Sequence, residues 1–354
     1  MKMWLIPTIG VLIMYSIGCK NNITGAGINS EKSICYSKSS NIYITQFPGG
    51  TPHNISQGVQ KDNNPQWSPN GRFIVYNRSL SVFGPAVIVY DLQTTNELVL
   101  TSDGGMAKQG PRWTPNGKVF FAYQRPIGSP IGTYLMNPDG TDKKRILDAV
   151  KTDSTTSIYF YPDSYTFLYV LNYTKVYKTN IEGTINEFVG DFEQIFGESF
   201  AIQDFNPGTE ELFVSTNHGS NEYYTIWAIN VKDKGRAIKY QSENGYTLFQ
   251  FAFSHDFSKL VAIEHSDSAD YLSIVQNNVK KQLVCYANRR VEDFSWLRAG
   301  FSPDGNNVVF TKHLYDLSGP WFSWTDYVCV VDVATGELHS IGEGTTPSWN
   351  PSLN

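Results

Sequence analysis

His265 and His313 each lie 12 residues after a phenylalanine, Phe253 and Phe301, and His218 lies 13 after Phe205. Imidazoles recurring at matching places in a chain bind a metal ion if the fold brings them together, with Nδ1 or Nε2 as the ligand. The matching places after Trp67, Trp113 and Phe160 hold Ser79, Arg125 and Asn172, so the plainer reading is a polar rim without a metal. A second group lies in the segment Leu314 to Thr325, where Tyr315, Trp321, Phe322 and Trp324 surround Gly319 and Pro320. Large aromatics in a polar connection either anchor a partner or fold back to cap their own structural unit. The chain has no Gly-x-Ser-x-Gly elbow, no His-Glu-x-x-His and no phosphate-cradling glycine loop. Asn137-Pro-Asp-Gly-Thr-Asp142 offers too few spaced carboxylates for calcium and reads as a turn. No cofactor is expected.

What would position these residues is a repeat. Trp67, Trp113, Phe160, Phe205, Phe253, Phe301 and Trp349 follow one another at gaps of 46, 47, 45, 48, 48 and 48 residues. In the clearest copies the aromatic opens Trp67-Ser-Pro-Asn-Gly71, Trp113-Thr-Pro-Asn-Gly117 and Phe301-Ser-Pro-Asp-Gly305, each followed by an apolar run. Proline sets φ at the first corner and glycine tolerates the left-handed corner, so the motif is a tight turn between two strands. A third apolar stretch, such as Val87 to Asp91 or Tyr327 to Asp332, then a polar turn and a fourth, complete each unit. Four antiparallel strands at this period describe a β-propeller blade, and each blade buries its faces only against its neighbours.

The ends decide the blade count. Ser33 to Lys38, Asn41 to Thr45 and His53 to Ser56 read as the second, third and fourth strands of a blade without a first, while Trp349 belongs to a first strand without a blade. Pairing them closes the ring and removes two exposed sheet edges. The expected fold is all-β, a seven-bladed β-propeller closed through its C-terminal strand, with six blades as the alternative. The motif and its following strands resemble the TolB-like β-propeller repeat family over residues 33–354. The resemblance implies the fold. Its members include Tol-system proteins, peptidase-attached propellers, oligogalacturonate lyases and surface lipoproteins, so function must come from a site.

Residues 1–18 read as a signal peptide, with Lys2 ahead of an apolar run from Met3 to Ile17 that is too short to span a membrane as a helix. Ser16-Ile-Gly-Cys19 resembles the bacterial lipobox, which implies that Cys19 is the lipid anchor; Ser16 and Ile17 depart from the usual residues there. Residues 19–32 then form a polar tether with a span of roughly 20 Å. Lys20 after the cysteine, by analogy with lipoprotein sorting, favours the outer membrane of a bacterial envelope. The other cysteines, Cys35, Cys285 and Cys329, fall in apolar strand patterns and read as buried free thiols, with a Cys35–Cys329 bridge as the alternative.

A formal net charge of −5 gives no reason to expect nucleic acid. The expected role is a non-catalytic scaffold that binds an envelope protein or glycan through the connections between second and third strands. A metal-assisted polysaccharide lyase using the rim of His218, His265 and His313, a use suggested by the resemblance, is the alternative. Binding of a small ligand in the central channel is a third reading.

Overall fold

The computed structural model describes residues 32–351 apart from 57–59, 82–83, 102–106, 124–131, 149–150, 152–154, 198–199, 219–222, 288–290, 295–298 and 317–322. Seven antiparallel sheets follow one another. In the first blade the inner strand is Thr345–Trp349, followed outward by Ser33–Lys38, Asn41–Gln46 and His53–Asn54. The second runs Asp62–Trp67, Phe73–Ser81, Gly84–Asp91, Asn96–Val99, and the third Ala107–Trp113, Val119–Tyr123, Gly132–Met136, Lys144–Leu147. Thr155–Phe160, Thr166–Leu171, Lys175–Asn180 and Asn186–Asp191 form the fourth. Phe200–Asn206, Glu211–Asn217, Tyr224–Asn230 and Arg236–Gln241 form the fifth, and Thr247–Phe253, Lys259–His265, Asp270–Gln276 and Val279–Tyr286 the sixth. The seventh has a divided inner strand, Glu292–Phe294 and Gly300–Phe301, then Asn307–Asp316, Ser323–Asp332 and Leu338–Glu343. The ring is therefore seven-bladed, and the six-bladed alternative falls.

Closure is made as the motif spacing requires. Thr345–Trp349 pairs antiparallel with Ser33–Lys38, with Ile34 opposite Trp349 and Cys35 opposite Ser348. Gly344 leads into the closing strand at φ +154, and a Cβ there would run into the Tyr36 ring and stand 2.9 Å from the Ser37 carbonyl oxygen. Only glycine fits so close an approach.

The repeated turn holds its shape by a side-chain bond that its serine or threonine supplies. Ser68 Oγ donates to Asn70 Oδ1 at 2.7 Å and accepts the Phe73 N–H at 2.8 Å. Thr114 does the same with Asn116 and Lys118, Ser254 with Asp256 and Lys259, and Ser302 with Asp304 and Asn307. The altered turns keep the backbone: Ser164 (φ 54) and Phe257 (φ 57) take the left-handed corner that Gly71 and Gly305 hold elsewhere. The motif tryptophans then join blades. Trp113 Nε1 donates to the Gln66 carbonyl and Trp349 Nε1 to the Gly300 carbonyl, both at 3.1 Å, and each acceptor directly precedes the motif aromatic of the preceding blade.

Packing follows from strands buried on both faces. Ile34 and Tyr36 point into the cluster shared with Val309, Val328 and Val330 of the seventh blade, whereas Cys35 between them packs with Trp67, Ile74 and Ile88 of the second. This alternation recurs around the ring, so among the described residues seven apolar clusters form, each at one junction between blades. Stability is thus spread over neighbouring pairs, with the last pair dependent on the closing strand.

Candidate functional site

The two ends of the ring differ. In six blades the second strand starts at the motif turn, and Ser33–Lys38 starts at the same end of the first, so one face carries the motif turns and the other the connections from second to third strands. His218, His265 and His313 reach this second face. The structure holds each within its own blade. His265 Nδ1 lies 2.5 Å from Asp270 Oδ1, and His313 Nδ1 pairs with Asp326; each pair sits at directly opposed positions on adjacent strands. His218 uses Nε2, 3.1 Å from Thr216 Oγ1 and 3.3 Å from Thr225 Oγ1, and packs at a tilt against Tyr223. Among the described residues no three His, Cys, Asp or Glu side chains form a group that could hold a metal. Of the matching rim positions, Ser79 and Asn172 lie on this face and Arg125 falls outside the described residues.

Beneath the rim lies a charged layer that the sequence did not signal. Arg78, buried in the second half of its strand, forks onto Asp62 with both bonds at 2.9 Å and reaches Glu97 at 2.6 Å. The Tyr76 hydroxyl donates to the same glutamate at 2.5 Å. Sixth-blade Glu264 occupies the place of Arg78 relative to the motif aromatic, with the charges reversed: Lys280 pairs with it at 2.7 Å and the Tyr240 hydroxyl donates to it at 2.5 Å. Lys312, at that place in the seventh blade, pairs with Glu292 at 3.0 Å. A shared spacing of 11 residues from Trp67, Phe253 and Phe301 was the available signal, hidden because the three side chains differ in sign and shape.

The described ends of the aromatic segment are strand. Leu314, Tyr315 and Asp316 pair with Thr325, Trp324 and Ser323, so Asn307–Asp316 and Ser323–Asp332 run 10 residues each and form the longest hairpin described. Likewise the second-blade strands pair far towards their connection, with Arg78 opposite Ala86 and Ser79 opposite Pro85. In both places alternation continues past the point where polar residues suggest a loop. Trp324 is 54% exposed, and Leu314 beside it is also exposed. The Trp324 ring is held edge-on by His313 at 5.7 Å and by Tyr315 at 6.4 Å, and the Tyr315 hydroxyl donates to Asp293 at 2.8 Å. Trp321 and Phe322 lie outside the described residues, as do Cys19 and residues 1–31.

The cysteines need one correction. Cys35 and Cys329 are buried free thiols that enter different blade junctions, so the bridge between them does not form, and burial pushes the Cys329 thiol up to about 11. Cys285 is exposed, because on the outer strand Val279–Tyr286 its neighbours Val284 and Tyr286 take the inward positions. The Asn137 to Asp142 segment is a turn, with the Gly140 N–H bonded to the Asn137 carbonyl. Among the described residues no helix is long and apolar enough to cross a membrane.

These features define a closed seven-bladed β-propeller with a polar, hairpin-bearing face. No family model and no curated protein matches the chain. Among solved structures it is similar to TolB from Acinetobacter baumannii, at 15% identity over 91% of this chain and 67% of that one, TM-score 0.52. It is also similar to an oligogalacturonate lyase in complex with manganese, at 12% identity over 86% and 82%, TM-score 0.60. A third similar structure is a prolyl endopeptidase, at 11% identity over 89% and 49%, TM-score 0.62, so the chain spans about half of that protein's length. At these identities the likeness is one of fold, and the fold is TolB-like.

Proposed function

We propose that this protein is an exported, lipid-anchored propeller that binds an envelope protein or glycan on the face bearing the seventh-blade hairpin, without catalysing a reaction. The observation that supports this reading most is Trp324, a large aromatic kept half in water yet fixed in orientation by His313 and Tyr315. Leaving such a ring exposed is costly unless it meets a partner, and fixed aromatics make effective anchors because little rotamer freedom is lost on binding.

The attachment through Cys19 fits the polarity of the ring. Ser33–Lys38 is a second strand, so the chain enters it from the motif-turn face, where Lys32 Nζ stands 3.9 Å from Asp304 in the seventh-blade turn. A tether leaving from that face directs the opposite face, with Trp324, away from the membrane. Cys19→Ala is expected to abolish lipid labelling and release the protein from the membrane fraction; labelling that survives the substitution contradicts the anchor.

A metal-assisted lyase is the second reading. It draws on the likeness to the oligogalacturonate lyase and on the His265 and His313 pairs, since a carboxylate on Nδ1 is the usual support for a histidine that ligates through Nε2. His218, engaged through Nε2 with two threonines, does not share that arrangement. Stoichiometric metal in purified protein favours the lyase over the scaffold.

A further inference from the structure

Asp204 is the residue before the motif aromatic Phe205 on the inner strand of the fifth blade, and it is 2% exposed. Its Oδ1 accepts only the N–H of Phe205, at 2.8 Å, and its Oδ2 has no hydrogen-bond partner. Among the described residues it forms no ion pair. A bulge at Gln203 sets Asp204 directly opposite Phe213, whose ring packs at a tilt against Phe253 of the sixth blade with centroids 4.1 Å apart. A carboxylate buried here with one backbone N–H as its partner has no counter-charge bonded to it to stabilise it.

We propose that Asp204 is a proton-held latch between the fifth and sixth blades: protonated, it packs as a neutral group on the inner ring, and loss of the proton loosens that strand and its junction.

The groups facing it do not offset this. On the fourth blade the Tyr159 hydroxyl, itself bonded to the Ile202 carbonyl at 3.3 Å, senses the charges of both Asp204 and, on the third blade, Arg112. No neighbouring charge acts strongly enough on Asp204 to counter desolvation, which pushes its carboxyl well above the ordinary range; the Phe205 N–H is the one opposing influence. An acid whose pKa is higher in the folded chain contributes stability that is complete below the unfolded value, about 3.9, and is lost as pH rises from there through the folded value.

The test compares melting of the full chain and of Asp204→Asn from about pH 5 to about pH 9. The wild type is expected to lose melting temperature as pH rises, and the isosteric amide to flatten that slope and to melt at least about 3 °C higher at the alkaline end. Parallel pH profiles overturn the proposal. Should the variant not fold, infrared spectroscopy of the wild type decides: a protonated-carboxyl band that persists above the ordinary carboxylate range and vanishes on unfolding in urea is expected. Its absence from the folded protein overturns the latch.

Discussion

Deleting Thr346 to Asn354 is expected to unfold the protein or drive it to aggregate at temperatures where the intact chain is folded. The deletion strips Ser33–Lys38 of its inner partner strand, exposes Ile34 and Tyr36, and removes the Trp349 bond to the Gly300 carbonyl. Truncating one buried tryptophan costs about 3 to 5 kcal/mol by itself. The loss of a whole strand adds to that and approaches the 5 to 15 kcal/mol, roughly, that a domain has in total. The exposed edge is also a template for pairing with other chains. Thermal melting and light scattering read both effects. A truncated chain that melts with the wild type would show that the other junctions carry the ring without closure.

Arg78→Ala is expected to be the most damaging single substitution in the charged layer. The Arg78 and Asp62 side chains are 9% and 2% exposed, so removing the guanidinium leaves a buried carboxylate with no counter-charge. Breaking such a pair from one side costs about 3 to 5 kcal/mol, whereas replacing both partners with apolar groups of similar volume is often close to neutral. Denaturant unfolding should therefore show Arg78→Ala strongly destabilised and the double variant Arg78→Met with Asp62→Leu recovering much of the loss. A loss under about 1 kcal/mol for Arg78→Ala would mean that water reaching Asp62 solvates the carboxylate as well as the arginine does.

The blades were legible because their signal is redundant. Proline, asparagine or aspartate, and glycine at the turn, the aromatic before it and the apolar strand after it all agree, and the spacing to Trp349 is enough to imply closure. The hydroxyl of Ser68 and its counterparts was in plain view, yet its bond into the turn becomes apparent only with the backbone in place. The site was less legible. Whether His218, His265 and His313 converge depends on the width of a blade, which no spacing along the chain encodes, and the structure instead ties each to its own neighbours. The pairs Arg78–Glu97 and Glu264–Lys280 cross their sheets diagonally, a result of strand twist that a flat alternation pattern does not convey. The reach of the seventh-blade hairpin was understated because Tyr315, Asp316, Ser323 and Thr325 suit a loop and an exposed strand equally. The burial of Asp204 turns on a bulge at Gln203, and one extra residue reverses which face a side chain takes.

The measurement closest to the central claim is capture from envelope extracts by the intact lipidated protein, compared with its Trp321→Ala, Trp324→Ala double variant and paired with thermal melts of both. With Trp324 half in water, the substitution is expected to leave the melt near that of the wild type while retention of the captured material falls by more than about tenfold, the loss expected of an anchor residue. Unchanged capture, or a stability lowered by the roughly 3 to 5 kcal/mol of a buried tryptophan with no specific loss of binding, would make the hairpin a cap for its own blade and contradict the account.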